Sequence, residues 1–280
     1  MSFKKLTACL TAVVVMLAMF AVFAEPEGTI DWGNGVIQVT GNGAGKAKYK
    51  NTSPGQYRLT ARQAARMDAQ RKLAEFVNGV QVTGASSMSD LALEDDRVST
   101  MLKGVVLKNA IEVGEARYDN EYGICEVTME LRLFGGNNSL SAAAYLPFKD
   151  EPKVAFPQPS VSVTQINVGS NYTGLIIDCR GKNLNPVMSP VIKNSNGQAI
   201  YGHQNLDYDK IIINGMASYA DDINDQISRS RAGSNPLVIQ AENLSDINAN
   251  PVVSVADADK ILAANQSGKF LENCAVVFVK

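Results

Sequence analysis

The sequence predicts an α+β protein: a small antiparallel sheet with two helices on one face, followed by a second, β-rich α+β domain. Three observations carry this. An alternating run, Val36-Ile37-Gln38-Val39-Thr40, precedes a long helical stretch. Two strand-like runs then follow one another across a turn, from Ala110 to Tyr118 and from Ile124 to Phe134. Beyond a Pro- and Asn-containing break, short apolar runs recur with one clear helix among them.

The elements read as follows. Gly41-Asn42-Gly43-Ala44-Gly45 reads as a glycine turn closing the first strand. Ser53-Pro54-Gly55-Gln56 has an N-cap serine, a proline in the first turn and a glutamine at the capping-box position. A helix is expected there, with Ala61, Ala65, Ala69, Leu73 and Phe76/Val77 as a narrow apolar stripe and Asn78-Gly79 as its stop. Val80 to Thr83 is expected as a short strand. Ser89 is expected to cap a second helix that Gly104 ends after Lys103. Asp119-Asn120-Glu121 forms the turn between the two long strands, and in the second of these Cys125, Val127, Met129, Leu131 and Leu133 alternate with polar neighbours. Gly135 to Pro159 reads as a linker. Farther on, Leu175-Ile176-Ile177 is a buried-strand run, residues 191–193 and 198–201 flank a hairpin turn, and residues 237–241 and 275–279 are strands. Ser254 is expected to cap the helix carrying Ala258, Ile261, Leu262 and Ala263. The expected organisation is residues 1–24 as leader, 25–135 and 161–280 as domains, and 136–160 as linker.

The leader reading rests on Lys4 and Lys5 followed by an uncharged run from Leu6 to Phe23. Val22-Phe23-Ala24 puts small residues at the positions a signal peptidase reads, so cleavage is expected between Ala24 and Glu25. Leu6-Thr7-Ala8-Cys9 looks like a lipoprotein box but stands at the start of the apolar run, so Cys9 is expected to carry no lipid. Export would leave Cys125, Cys179 and Cys274, an odd number, each beside strand-like residues; a Cys179–Cys274 bridge stays open.

Composition limits the chemistry. The 280 residues carry 26 Lys+Arg against 28 Asp+Glu, a net charge of −2, and loss of the leader lowers it to −4. A weakly acidic chain without a basic block is poorly suited to nucleic acid. His203 is the one histidine, which excludes His-pair metal sites, and no C-x-x-C occurs. Neither cofactor nor metal is expected. The glycines before Lys46 fail the phosphate-loop pattern at Thr40 and Ala47. Asp207-Tyr208-Asp209 and Asp221 to Asp225 lack the glycine and distal glutamate of a calcium loop and read as solvated carboxylates.

One surface feature stands out. Arg58, Arg62 and Arg66, four residues apart on the first helix, form a basic ridge about 100° from the alanine stripe. The ridge could be solvated, meet an acidic partner or an anionic lipid surface, or pair with Glu94-Asp95-Asp96 of the same domain.

Val39-Thr40-Gly41-Asn42-Gly43, the helix sequence Ala61 to Glu75, Val77-Asn78-Gly79-Val80 and the strand Tyr122 to Leu131 together resemble the LPP20 lipoprotein family. They are also similar to the N-terminal domain of flagellar assembly protein T. The resemblance covers residues 35 to 135. It implies a small envelope domain without known catalysis; relatives include outer-membrane lipoproteins and a flagellar basal-body component, but the flagellar role belongs to one branch and is not implied here. Expected partners are envelope or outer-membrane proteins, with basal-body components as an option, and the arginine ridge adds peripheral membrane contact as another. The missing lipobox removes lipid anchoring from that inference. The expected role is therefore an exported, non-enzymatic structural, assembly or interaction factor. The rival readings are an envelope-polymer hydrolase using Asp207 and Asp209 on one strand face, and a small-ligand-binding protein using the C-terminal domain.

Overall fold

The computed structural model describes residues 28–45, 53–161 and 171–280. The leader, Cys9, the Ala24–Glu25 bond and Lys46 lie outside the described residues.

The first half is the expected antiparallel sheet with helices on one face. Strands β1 (Gly28–Asp31), β2 (Val36–Ala44), β3 (Ile111–Asp119) and β4 (Ile124–Arg132) pair in the order β1-β2-β4-β3. Helix α1 (Pro54–Asn78) lies across β2 and β4. Its capping box is formed by Ser53 and Gln56, and its buried residues are Ala61, Ala65, Ala69, Leu73 and Val77.

The glycines of β2 have a different role from the expected turn. Strand β2 continues to Ala44, and Gly41 and Gly43 point at α1. A Cβ on Gly41 would fall within 3.0 Å of backbone atoms of Ala65 and Ala69; one on Gly43 would meet those of Ala61 and Ala65. Glycine on the strand and alanine on the helix thus bring two backbones together, and the i, i+2 spacing is the strand period.

The second helix of the sequence reading is two. Ser87 caps α2 (Met88–Glu94) and Asp95 caps α3 (Asp96–Asn109). Gly104 lies inside α3, with nothing within 4 Å of an added Cβ, so it does not end the helix. Between Val80 and Thr83 there is only the isolated bridge Gln81–Ser87.

The segment read as a linker is mostly core at its start. Helix α4 (Leu140–Ala144) is buried along its whole length, and Tyr145 is fully buried. The Tyr145 hydroxyl donates to the Met188 carbonyl, and Ser141 Oγ donates to the Ile212 carbonyl at 2.7 Å. Four prolines and two glycines masked a run of small apolar residues that fits between the halves.

The second half is more helical than expected, and its main sheet is parallel. Strands β5 (Gly174–Asp178), β8 (Ser218–Ala220), β9 (Pro236–Gln240) and β12 (Val276–Val279) pair in the order β8-β12-β5-β9, every neighbour parallel. The central strands β5 and β12 are buried almost throughout, which explains their unbroken apolar sequences. A mixed sheet joins β6 (Ile192–Asn194), β7 (Ala199–Tyr201), β10 (Asn243–Ser245) and β11 (Asn250–Val253) in the order β10-β11-β6-β7. Helices α5 (Tyr208–Asn214), α6 (Gln226–Ala232) and α7 (Val255–Gly268) complete it, with Ser254 capping α7 as expected.

The halves are joined through their backbones. Gly135 and Gly136 N–H groups donate to Ile212 O at 3.0 and 2.8 Å. Met188 and Ser189 N–H groups donate to Gln81 and Val82 carbonyls at 3.1 and 2.7 Å. Gly33 packs on Ile227, Gly84 on the Asp246 backbone and Gly215 on the Phe134 ring, each too closely for a side chain. One continuous hydrophobic core runs through both halves.

Candidate functional site

The arginine ridge borders a groove of about 530 Å³ between α1 and β3, lined by Leu59, Arg62, Gln63, Arg66, Met67, Gln70 and Glu112. The helix supplies these residues because the alanine stripe takes the opposite side, so the intervening positions turn outward. Leu59 and Met67, eight residues apart, are 68% and 65% exposed, and Ile111 at the start of β3 is exposed as well. Strand β3 is the edge of its sheet, so its outer backbone groups face away from any described strand. Its pairing with β4 shifts register between Val113 and Arg117, beside Gly114 with φ +70.

The three arginines have different partners. Arg62 Nε and Nη2 both donate to Glu112 Oε1, at 3.0 and 2.7 Å. Arg58 donates to Asn120 Oδ1 at 2.6 Å and lies 5.0 Å above the Tyr118 ring. Arg66 forms no ion pair among the described residues. The acidic residue that meets the ridge is therefore Glu112 of β3, and the β3–β4 turn contributes the uncharged amide of Asn120. Glu94, Asp95 and Asp96 do not face it: Asp95 caps α3 and pairs with Arg97 at 2.8 Å, and this guanidinium holds its carboxyl below the ordinary value. Lower on the helix, burial opposes the charge of Asp68, but the Asn42 N–H, Arg71 and Lys72 hold it below the usual carboxylate range.

Leu59, Met67 and Glu112 escaped the sequence reading. Their signal was an apolar pair at i and i+8 on the polar side of α1, which a search for core stripes passes over.

The acidic clusters serve helix starts. Asp207 is the N-cap of α5, accepting from Lys210 N–H at 3.2 Å, and Asp209 lies in its first turn. They do not alternate on a strand, so the arrangement behind the hydrolase reading is not formed. Asp225 caps α6 by accepting from Ser228 N–H at 2.7 Å, Asp222 meets Arg180 at 3.4 Å, and Asp221 meets Lys280 at 3.3 Å. Among the described residues no three His, Cys, Asp or Glu side chains gather around a common point. No described helix is long and apolar enough to cross a membrane.

Cys125, Cys179 and Cys274 are free and buried, so Cys179 and Cys274 are not bridged. Burial pushes the Cys179 thiol up to about 12.

His203 stacks on Phe148 at 4.0 Å, with Nε2 3.5 Å from Glu151. Burial lowers its pKa from 6.5, partly opposed by Glu151. With the folded value below the unfolded one, the unfolded chain takes up the proton first as pH falls. Stability from this group is thus full above pH 6.5 and declines below it. Urea midpoints should fall further between pH 7.5 and 5.5 in the wild type than in His203→Gln; equal declines would exclude a role for this histidine.

Residues 174–280, from the first residue of β5 onward, match the family described as Treponema pallidum Tp0624, second domain. The match takes in the whole parallel sheet and the mixed sheet packed with it. No curated protein matches the chain.

Proposed function

We propose that this protein is an exported, non-enzymatic cell-envelope component that works by binding another envelope protein, and that the α1/β3 groove is its docking surface. The observation that carries this reading is the pair Leu59 and Met67, exposed on a helix whose neighbouring arginines make one guanidinium, Arg66, available to a partner. Apolar anchors rimmed by arginine are what protein interfaces select. The leader sequence and the LPP20-like pattern of residues 35 to 135 support the compartment, and the conversion of Asp207 and Asp209 into helix-start residues weakens the hydrolase alternative.

Arg62→Glu is a poor test, since it would set two carboxylates together at Glu112. Arg66→Glu combined with Met67→Asp leaves the Arg62–Glu112 pair intact. That double variant should keep the wild-type melting temperature within about 2 °C, as exposed substitutions do. Its recovery of envelope proteins, quantified by mass spectrometry after pull-down at low salt, should fall at least tenfold. Undiminished recovery of every partner would sink the groove as a docking surface.

A further inference from the structure

The halves of the protein meet along a second groove, of about 460 Å³, distinct from the α1/β3 surface. Trp32 and Asn34 from the β1–β2 turn, Arg132 and Phe134 from the end of β4, and Ser218 and Arg231 from the second half line it. Clefts between packed units are where small-molecule sites concentrate.

Its charges are unevenly satisfied. The carboxylates near the groove are all engaged. Asp31 accepts from the N–H groups of Gly33 and Asn34 at 3.0 and 2.9 Å, Glu130 accepts from Gln38 Nε2 at 2.9 Å, and Asp225 caps α6. Neither arginine of the groove has a carboxylate partner among the described residues. Arg132 forms no ion pair among the described residues. Arg231 donates through Nη1 and Nη2 to the carbonyls of Asn214 and Gly215, at 2.5 and 2.7 Å. Its Nε is buried and has no acceptor. Carbonyl dipoles at the end of α5 offset part of the guanidinium charge, but no carboxylate does so. A largely buried cation without a counter-ion is costly, and a planar fork of donors is suited to oxyanions.

We propose that this groove binds a small molecule bearing an oxyanion, carboxylate or phosphate, between Arg132 and Arg231, with the Ser218 hydroxyl as a further donor and the Trp32 ring as one wall. The reading does not depend on the docking surface.

Trp32 is the one tryptophan of the chain, so all tryptophan emission arises at the wall of this groove. The full chain is titrated with sodium phosphate and, separately, sodium glucuronate, each at ionic strength held constant with sodium chloride. A saturable change in emission with a midpoint below about 5 mM is expected for at least one anion; phosphate alone assigns a phosphoryl ligand, glucuronate alone a carboxylate. Arg132→Gln and Arg231→Gln should each raise that midpoint at least tenfold. If Arg231→Gln fails to fold, Arg132→Gln and Ser218→Ala carry the comparison. No saturable change with either anion, or an unaltered midpoint in Arg132→Gln, would overturn the proposal.

Discussion

Gly43→Val is expected to abolish folding of the first half, with a loss above about 4 kcal/mol, comparable to the whole stability of a marginal domain. The residue sits on the face of β2 that α1 covers, and any Cβ there would enter the backbone of Ala61 and Ala65. No rotamer relieves a clash with main-chain atoms, so the helix must lift from the sheet. Lifting it uncovers Ile37, Val39, Val127 and Met129, all buried beneath it or beside it. Gly104→Ala is the control: Gly104 lies in α3 with open space around it, and alanine should raise stability by up to about 1 kcal/mol. Urea denaturation followed by far-UV circular dichroism distinguishes the two. A cooperative Gly43→Val transition near the wild-type midpoint would refute the close strand–helix contact.

The second large effect is expected at Tyr145, in the segment whose sequence reads as a tether. Tyr145→Ala should cost about 3–5 kcal/mol, because it empties a fully buried aromatic site and orphans the Met188 carbonyl. Tyr145→Phe, which removes only the hydroxyl, should cost about 1–2 kcal/mol. The loss should reach both halves together. Trp32 of the first half packs edge-on against Tyr219 of the second, ring centroids 5.6 Å apart, so its emission follows their separation. Emission and far-UV dichroism should report one shared transition in the wild type and in both variants. Two separated transitions in the wild type would mean the halves unfold independently. For the same reason a fragment of residues 174–280 is expected to lack a cooperative transition of its own, although it is the portion matching a recognised family.

How much of this was legible depended on how local each signal was. The α1 capping box and alanine stripe, the β6–β7 hairpin and the Ser254 cap are written within a few residues, and the sequence suffices for them. Gly41 and Gly43 carried an equally clear spacing, but its meaning lay in a helix more than ten residues away, and a glycine run alone reads as a turn. Helices α5 and α6 have seven residues each, too few to display a helical period, so Asp207 and Asp225 passed for loop acids when they are caps. The parallel order of β5, β8, β9 and β12 arises from crossovers that no single segment encodes. At the candidate surface the ridge of Arg58, Arg62 and Arg66 was legible from four-residue spacing. Its partners, Glu112 and Asn120, were not, because they depend on which strand forms the sheet edge.

The proposed docking surface is tested most directly by placing a photo-activatable cross-linking amino acid at position 67 of the full chain in intact cells. The comparison carries the same group at position 93, where Leu93 is 85% exposed away from the groove lining. Irradiation should give a discrete adduct with an envelope protein from position 67, absent from position 93 and lost when Arg66→Glu is added. Adducts of equal yield and identity from both positions, or none from position 67, would contradict the account.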